Sequence, residues 1–418
     1  MYSPAIIDRR LHQAKKNGLL FKRLARDTSL DISSKLEQLR FDRTGHLLPP
    51  GQLSRPLNNA EEQFIDSERL LCKCDFWYFI ERYFNIELDP GVTDRQGIGS
   101  PLLLESQRRM ITLMGRREDA CHEEQKKYKF TSGILAYVHK VRQICATTTF
   151  RAATLHRMLL WPGTRAFAAS FNDVGCGELF KRDHISLDTL PFWLKPRLYP
   201  DVKDTEIGFE PPINSRITYQ AENQKTGIGT GTQQDVSHLT EVALWHLPGR
   251  IRYSFVPSIP KALTTLHVQE STSDGRGDYW NEVTEACRAR RAGYEDWIYI
   301  FIPWWMNKTK YRANVPDEWT PEDNTLKHAD LIERSSPEFY DGKTYRPTRD
   351  QLYWWEKTRA MYASNGELAS FLTNYPATPE QSFQGFSDGA LPVELLEVME
   401  QEAIGGVPYD LELASVLA

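Results

Sequence analysis

The stretch that most constrains the fold runs from residue 133 to residue 160, where an apolar segment leads through a short polar turn into an amphipathic helix. Residues 134–138 (ILAYV) are typical of a buried β-strand, and the helix is predicted to begin at the threonines 147–149. A strand, a tight turn and a hydroxyl at a helix start are the parts of a phosphate-binding loop. In such a loop, N–H groups at the helix start hold phosphate and the hydroxyl reaches Mg²⁺. The stretch therefore predicts a phosphate site directly after a buried strand.

Three positions of this loop depart from the G-x-x-x-x-G-K-[ST] pattern. If Thr147 is the Mg²⁺ hydroxyl, the lysine position holds Ala146 and the second glycine position holds Cys145. The first glycine position holds Lys140, so a lysine is present at the opposite end of the same loop. Because a Cβ disfavours left-handed backbone, Cys145 predicts that the loop either adopts another geometry or binds nucleotide weakly.

Charge and hydropathy exclude several classes of protein. The formal net charge is −5, so a contact with DNA would need a local basic patch rather than a global positive field. No apolar run approaches the roughly 20 residues that span a bilayer, and we expect no membrane partner. The six cysteines lack the paired spacing of a zinc site or a disulfide framework.

Strand-like and helix-like segments alternate along the chain, which predicts an α/β fold with a doubly wound sheet. Upstream of the loop, Phe76, Phe79, Tyr83 and Phe84 recur at helical spacing, and an aromatic stripe of this kind is typical of a hydrophobic core. Downstream of the loop, apolar or alternating segments predict strands at 165–170, 215–220, 235–239, 263–269 and 297–303.

The predicted strand near 235–239 is followed by Thr240 and Glu241. In nucleoside triphosphatases of this architecture, an apolar strand ends in two carboxylates. The first holds Mg²⁺ through water, and the second orients and deprotonates the attacking water. Here Thr240 replaces the first carboxylate, and Glu241 remains as the candidate base. A lone glutamate after a strand is more often a surface carboxylate, so its role depends on what surrounds it.

Two further polar features occupy positions that suit a nucleotide site. Ser271 and Thr272 follow the predicted strand 263–269, at the edge where open α/β sheets bind ligands, and could sense a γ-phosphate. A simple Ser/Gly turn explains them equally well. Gln107 stands at the start of a helix that precedes the loop strand, and its amide could bond both edges of adenine.

Taken in order, these segments resemble the ATPase part of the large terminase subunit of tailed phages. The order of the pieces carries the resemblance, which covers roughly residues 70 to 390. The matching pieces are 76–84, 101–107, 140–143 before Thr147-Thr148, 190–195, 231–245, 270–272, 301–304 and 375–383.

The resemblance implies a RecA-like (ASCE) P-loop NTPase fold with a mostly parallel central sheet. In this family the phosphate lysine is often moved to the start of the loop, in a K-x-R-Q setting, which makes Lys140 that lysine. Related sequences also tolerate Ser or Thr before the catalytic Glu. The implied ATP contacts are Gln107, Lys140, Arg142, Gln143, Cys145, Ala146, Thr147 and Thr148. The other implied roles are catalysis (Glu241, Arg142), coupling (Ser271, Thr272) and Mg²⁺ binding (Thr147, Thr240).

The implied function is an ATP-hydrolysing motor that translocates double-stranded DNA into a viral procapsid. The expected partners are DNA, the portal protein, the small terminase subunit and further copies in a homo-oligomeric ring. We expect the protein in the host cytoplasm, docked transiently on the procapsid and absent from the mature virion. Expected domains are a helical N-terminal arm (1–65), the ATPase core (66–310), a small helical lid (311–400) and a linker (401–418). That linker is expected to lead towards a nuclease domain, and no nuclease activity is expected from this portion.

Two alternatives compete with the motor. A helicase-like DNA translocase predicts a second RecA-like domain, and the C-terminal third shows no second phosphate loop. A catalytically silent assembly or binding protein could have kept the fold after losing the glycine and lysine of the loop. Measuring nucleotide binding with Mg²⁺ separates this silent protein from an ATPase.

Overall fold

The computed structural model describes residues 35–49, 51–88, 97–101, 103–200, 205–222, 228, 233–273 and 279–384. Several sequence-based predictions lie outside these residues, namely the first 34 residues of the arm, residues 231–232 of the piece 231–245, residues 385–400 of the lid, and the C-terminal linker.

The helices within the described ranges are α1 (Asn59–Cys74), α2 (Phe76–Arg82), α3 (Glu105–Tyr128), α4 (Ala146–Leu160), α5 (Asp173–Asp188), α6 (Tyr279–Arg288), α7 (Asp323–Phe339), α8 (Arg349–Ser364), α9 (Leu368–Asn374) and α10 (Gln381–Gln384). The strands are β1 (Ile86–Leu88), β2 (Gly97–Gly99), β3 (Ile134–Lys140), β4 (Arg165–Ser170), β5 (Glu206–Gly208), β6 (Arg216–Ala221), β7 (Val236–Thr240), β8 (Leu266–Ser271) and β9 (Trp297–Ile302). Short 3₁₀ or π turns occupy Val242–Leu244, Ile251–Phe255, Val256–Ser258 and Trp304–Met306.

A seven-stranded sheet in the order β5-β6-β4-β7-β8-β3-β9 forms the centre of the molecule. Every pairing in it is parallel except that of β5 with β6. The strand β8 lies between β3, which leads into the phosphate-type loop, and β7, which precedes Glu241. An additional strand at this place, such as β8, defines the ASCE arrangement. The predicted RecA-like α/β fold is therefore confirmed. Because the strands β3, β4 and β6–β9 run parallel, their carboxyl ends share one edge of the sheet.

Burial explains why these segments form strands and a central helix. Six of the seven residues of β3 are buried, as expected for a parallel strand covered on both faces. The helix α4 is buried along most of its length, so it is an interior helix rather than a surface one. Phe76 and Phe79 pack against His156 of α4 with ring centroids 5.2 and 5.1 Å apart. The predicted core role of the aromatic stripe is confirmed, since its members are at most 6% exposed.

Several boundaries differ from the sequence-based prediction. The strand β3 continues to Lys140, and α4 begins at Ala146, one residue before the threonine cluster. The helix α3 continues to Tyr128 through a charged segment, in which Glu118 is buried with its Oε1 3.2 Å from Arg157 Nη2. The strands β1, β2 and β5 were not predicted, because three residues are too few to show a period.

The C-terminal helices pack onto the same core as the sheet. One cluster of buried apolar side chains extends from Leu36 to Ala377, and it includes Trp304 and Trp305 after β9. The domain boundaries at 65 and 310 stay predictions. No helix in the described ranges combines the length and the apolarity that crossing a membrane requires.

Candidate functional site

The predicted site residues meet at the carboxyl edge of the sheet. Lys140 ends β3, Thr240 ends β7 and Ser271 ends β8, and the loop 141–145 connects β3 to α4. The register places Thr240 opposite Glu270 on the neighbouring strand β8. Residues that are 100 or more positions apart therefore surround one loop because parallel strands end together.

The phosphate-type loop has left-handed backbone at two residues that carry a Cβ. Gln143 has φ 56°, and Cys145, which caps α4, has φ 59° and ψ 28°. Of the two expected consequences of Cys145, another loop geometry is not seen, because Cys145 keeps the left-handed backbone that a glycine would adopt there. Weaker nucleotide binding stays a prediction. Left-handed backbone costs about 1–2 kcal/mol for each such residue, so surrounding contacts must stabilise it.

Side chains from two other parts of the chain hold the loop carbonyls. From α3, Ser106 donates to the Ile144 carbonyl at 3.2 Å and Gln107 donates to the Cys145 carbonyl at 3.4 Å. The segment after β9 contributes two more donors: Asn307 Nδ2 bonds the Gln143 carbonyl at 3.2 Å, and the Tyr311 hydroxyl bonds the Arg142 carbonyl. Four consecutive peptide groups of the loop are thus oriented from outside.

Lys140 and Glu241 form an ion pair at this edge. The Lys140 Nζ donates to Glu241 Oε1 at 2.8 Å, and the lysine side chain is only 7% exposed. Burial by itself would lower the pKa of Lys140, but the negative charges of Glu241 and Glu270 outweigh burial and raise it. The lysine therefore stays a cation in a nearly closed site. Glu241 also has left-handed backbone, at φ 54° and ψ 42°.

Glu270 is a functional candidate to which sequence reasoning assigned no role. Its side chain is completely buried, and Oε1 accepts hydrogen bonds from Thr147 Oγ1 at 2.7 Å and Thr240 Oγ1 at 2.9 Å. His238 Nε2 lies 3.0 Å from the same oxygen. Burial would raise the pKa of Glu270, but Lys140 and the donors His238 and Thr147 lower it to about 2. The available signal was a carboxylate directly after the predicted strand 263–269 and one residue before Ser271.

Oxygen ligands suited to Mg²⁺ come together around Thr147. The hydroxyls of Thr147 and Thr240 and the carboxylate of Glu270 are hard oxygen donors. Among the described residues, three or more His, Cys, Asp or Glu side chains nowhere cluster as a metal cage. Mg²⁺ typically takes one or two carboxylates and completes its shell with water and phosphate. This donor set therefore fits a nucleotide-bound Mg²⁺.

Gln107 is placed differently from the prediction. It is 1% exposed, and its Oε1 accepts from the Leu104 N–H at 3.0 Å at the start of α3. Its Nε2 donates to Thr149 Oγ1 at 3.1 Å and to the Cys145 carbonyl. With both ends of the amide bonded inside the protein, Gln107 has no open edge for adenine. A helix-start glutamine can cap its own helix, and here that local bond prevails.

The other predicted residues lie around the same loop. Ser271 is buried, and its Oγ accepts from the Ala243 N–H at 3.1 Å, which ties the end of β8 to the segment after Glu241. Thr272 is buried beside it. The first turn of α4 buries Ala146 and Thr148, whereas Arg142 and Gln143 are exposed on the loop.

No family model and no curated protein matches the sequence. Solved structures do match. The chain is similar to the large terminase of bacteriophage HK97 (11% identity, TM-score 0.43, covering 72% of this chain and 54% of that one). It is also similar to the large terminase ATPase domain of Thermus phage P74-26 (11% identity, TM-score 0.38, covering 62% of this chain and 91% of that one). A third match is the large terminase of a thermophilic bacteriophage in complex with ADP (9% identity, TM-score 0.32, covering 46% of this chain and 46% of that one). At TM-scores below 0.5 these likenesses assign no function, so the site geometry has to support one.

Proposed function

We propose that this chain is an ATPase subunit of a phage DNA-packaging motor, which hydrolyses ATP to move double-stranded DNA into a procapsid. One observation carries the ATPase part of the proposal. The Lys140 Nζ lies 2.8 Å from Glu241 Oε1, beside a loop that leads into α4 and has left-handed backbone at Gln143 and Cys145. A cation, a candidate base and a loop of phosphate-binding type are thereby assembled in one site. The ordered family-like segments of the sequence support the packaging role.

Each residue has a definable task in this proposal. Lys140, Arg142 and the N–H groups of the loop hold the phosphates, and Glu241 orients and deprotonates the attacking water. The hydroxyls of Thr147 and Thr240 would bind Mg²⁺. When bound, Mg²⁺ neutralises charge on the phosphates. Positioning and charge neutralisation supply most of the catalysis in phosphoryl transfer, and a buried lysine with a nearby carboxylate matches that need.

The Ser271 hydroxyl connects the end of β8 to the segment that follows Glu241. Through its bond to the Ala243 N–H, a shift of Glu241 on nucleotide binding would be passed to the end of β8. We propose that Ser271 and Thr272 pass the γ-phosphate state to other parts of the motor in this way. The fold is consistent with this coupling because β7 and β8 are adjacent strands.

The partners and the location belong to the same proposal. The motor acts as a homo-oligomeric ring with the portal protein, the small terminase subunit and double-stranded DNA. It works in the host cytoplasm on the procapsid and is absent from the mature virion. No residue of this chain is given a nuclease role.

ATP hydrolysis with and without double-stranded DNA tests the proposal. Wild type should hydrolyse ATP faster with DNA, and both Glu241→Gln and Lys140→Ala should abolish this stimulated activity. Glu178→Gln, at an exposed position of α5, is the matched control and should behave like wild type. Unchanged activity in both site variants would show that the assignment is wrong. If wild type binds no Mg²⁺-nucleotide even with DNA present, the chain is a silent assembly protein.

A further inference from the structure

The second oxygen of Glu270 has no partner in the described part of the chain. Its Oε1 accepts from Thr147 and Thr240, whereas Oε2 is fully buried and makes no hydrogen bond there. A buried carboxylate oxygen without a partner carries a desolvation penalty of about 1–3 kcal/mol or more. Such an atom in a polar site is suited to bind a ligand.

The location of Glu270 identifies the kind of ligand. Position 240, at the end of β7, is where an acidic residue would hold the metal ion, and it is a threonine. The register places Glu270 directly opposite Thr240 on the adjacent strand β8. A carboxylate is therefore present at this place of the sheet, on β8 instead of β7. It accepts a hydrogen bond from the Thr147 hydroxyl at the start of α4.

We propose that Glu270 supplies the carboxylate that holds the metal ion of the bound nucleotide, in place of the acid missing at Thr240. Oε1 accepts hydrogen bonds from the hydroxyls of Thr147 and Thr240. Because both hydroxyls act as donors to Oε1, the lone pairs of their oxygens stay available to a cation. Oε2 directs its charge towards the same ion. This inference rests on the proposed nucleotide site and names the residue that makes that site depend on metal.

His238 and Lys140 hold Glu270 ready for this task. His238, on strand β7, has its Nε2 3.0 Å from Oε1 and orients the carboxylate. Lys140, at the end of the neighbouring strand β3, contributes a nearby positive charge. Orienting groups of this kind typically change metal affinity by about 10–100-fold. Glu270 is therefore held in place before the ion arrives.

The test measures binding of the analogue ATPγS by calorimetry, once with Mg²⁺ and once with EDTA. Wild type should bind more tightly with Mg²⁺. Glu270→Gln should lose about tenfold or more of this Mg²⁺-dependent gain, with its affinity in EDTA unchanged. The double variant Thr240→Asp/Glu270→Gln should recover the gain, since it returns a carboxylate to the opposite strand. Glu222→Gln is the matched control: this carboxylate is also buried at the carboxyl edge of the sheet, and its oxygens accept the His246 and Leu247 N–H groups at 2.6 Å.

Each outcome has one meaning. The inference is overturned if Glu270→Gln keeps the full Mg²⁺-dependent gain, or if it loses affinity equally in EDTA. Thermal unfolding of every variant shows whether the chain is folded. If the single variant does not fold, the double variant decides: a folded double variant without a Mg²⁺-dependent gain overturns the inference. Failure of wild type to bind ATPγS under either condition would instead overturn the proposed function, and the metal role with it.

Discussion

Lys140 and Glu241 are 101 positions apart in the chain, yet the lysine ammonium donates to the glutamate Oε1 at 2.8 Å. The residue proposed to hold phosphate is thus bonded to the residue proposed to activate water. In the proposed ATPase, a bound triphosphate would compete with Glu241 for this cation. Nucleotide binding and release of the base would then be coupled by a single ion pair.

Glu241→Gln should separate turnover from binding. We expect hydrolysis to fall by about 10²–10⁴-fold, because the amide cannot take a proton from water. The affinity for ATPγS should stay the same or rise, since a neutral partner competes less for the Lys140 ammonium. Single-turnover hydrolysis and equilibrium binding check the two halves, with Glu178→Gln as control. Equal loss of binding and turnover would mean that Glu241 shapes the pocket instead.

Cys145→Gly should not destabilise the protein, although glycine usually does so in a helix interior. The change relieves left-handed strain of about 1–2 kcal/mol and adds chain entropy to the unfolded state worth about 0.5–1 kcal/mol. We expect a net stabilisation between zero and about 1.5 kcal/mol. Ala153→Gly, in the interior of the same helix α4, is the matched control and should cost about 1 kcal/mol. Denaturant unfolding measures both; a loss for Cys145→Gly similar to that of the control contradicts the left-handed assignment.

Asp183→Asn should be strongly destabilising because it leaves a buried guanidinium without its counter-charge. Arg151 of α4 donates from Nε to Asp183 Oδ1 of α5 at 3.0 Å, and both side chains are 0% exposed. Removing one partner of such a pair typically costs about 3–5 kcal/mol. Asp188→Asn lies on the same helix, where the aspartate is 69% exposed and pairs with Lys195, and should cost at most about 1 kcal/mol. Comparable losses in thermal unfolding would argue against a buried ion pair.

His328 should make the protein less stable in mild acid. The ring stacks on Trp355 with centroids 4.0 Å apart, and its Nε2 accepts from Trp304 Nε1 at 3.3 Å. Burial lowers the pKa of His328 to about 3, from 6.5 in an unfolded chain. Its neutral form therefore favours folding above pH 6.5, and this contribution is lost as the pH falls from 6.5 towards 3.

The variant His328→Phe keeps an aromatic ring but cannot take up the proton. Its free energy of unfolding should depend less steeply on pH than that of wild type, by about 1.4 kcal/mol per pH unit between roughly pH 6 and 3. His46→Phe, at an imidazole that is 84% exposed, is the control for the substitution itself. Urea unfolding at several pH values measures the slopes, and identical slopes for His328→Phe and wild type would contradict the prediction.

Local sequence patterns determined much of the fold. All six predicted strands match observed ones within a few residues, because a buried parallel strand is an apolar run bounded by turn residues. The phosphate-type loop and Glu241 were also recognisable, since each follows such a strand. Short strands such as Glu206–Gly208 were missed because their pairing comes from neighbours and not from their own period.

Only the tertiary structure decided which polar groups share a site. Lys140 meets Glu241, and Glu270 meets Thr147 and Thr240, because parallel strands distant in sequence end at one edge. The same packing removed Gln107 from the candidates, since its amide bonds α3 and α4. It also holds Cys145 in a conformation that its own residue type disfavours. A sequence pattern describes each residue's local preference, whereas the chemistry of a site depends on distances that only the packed chain sets.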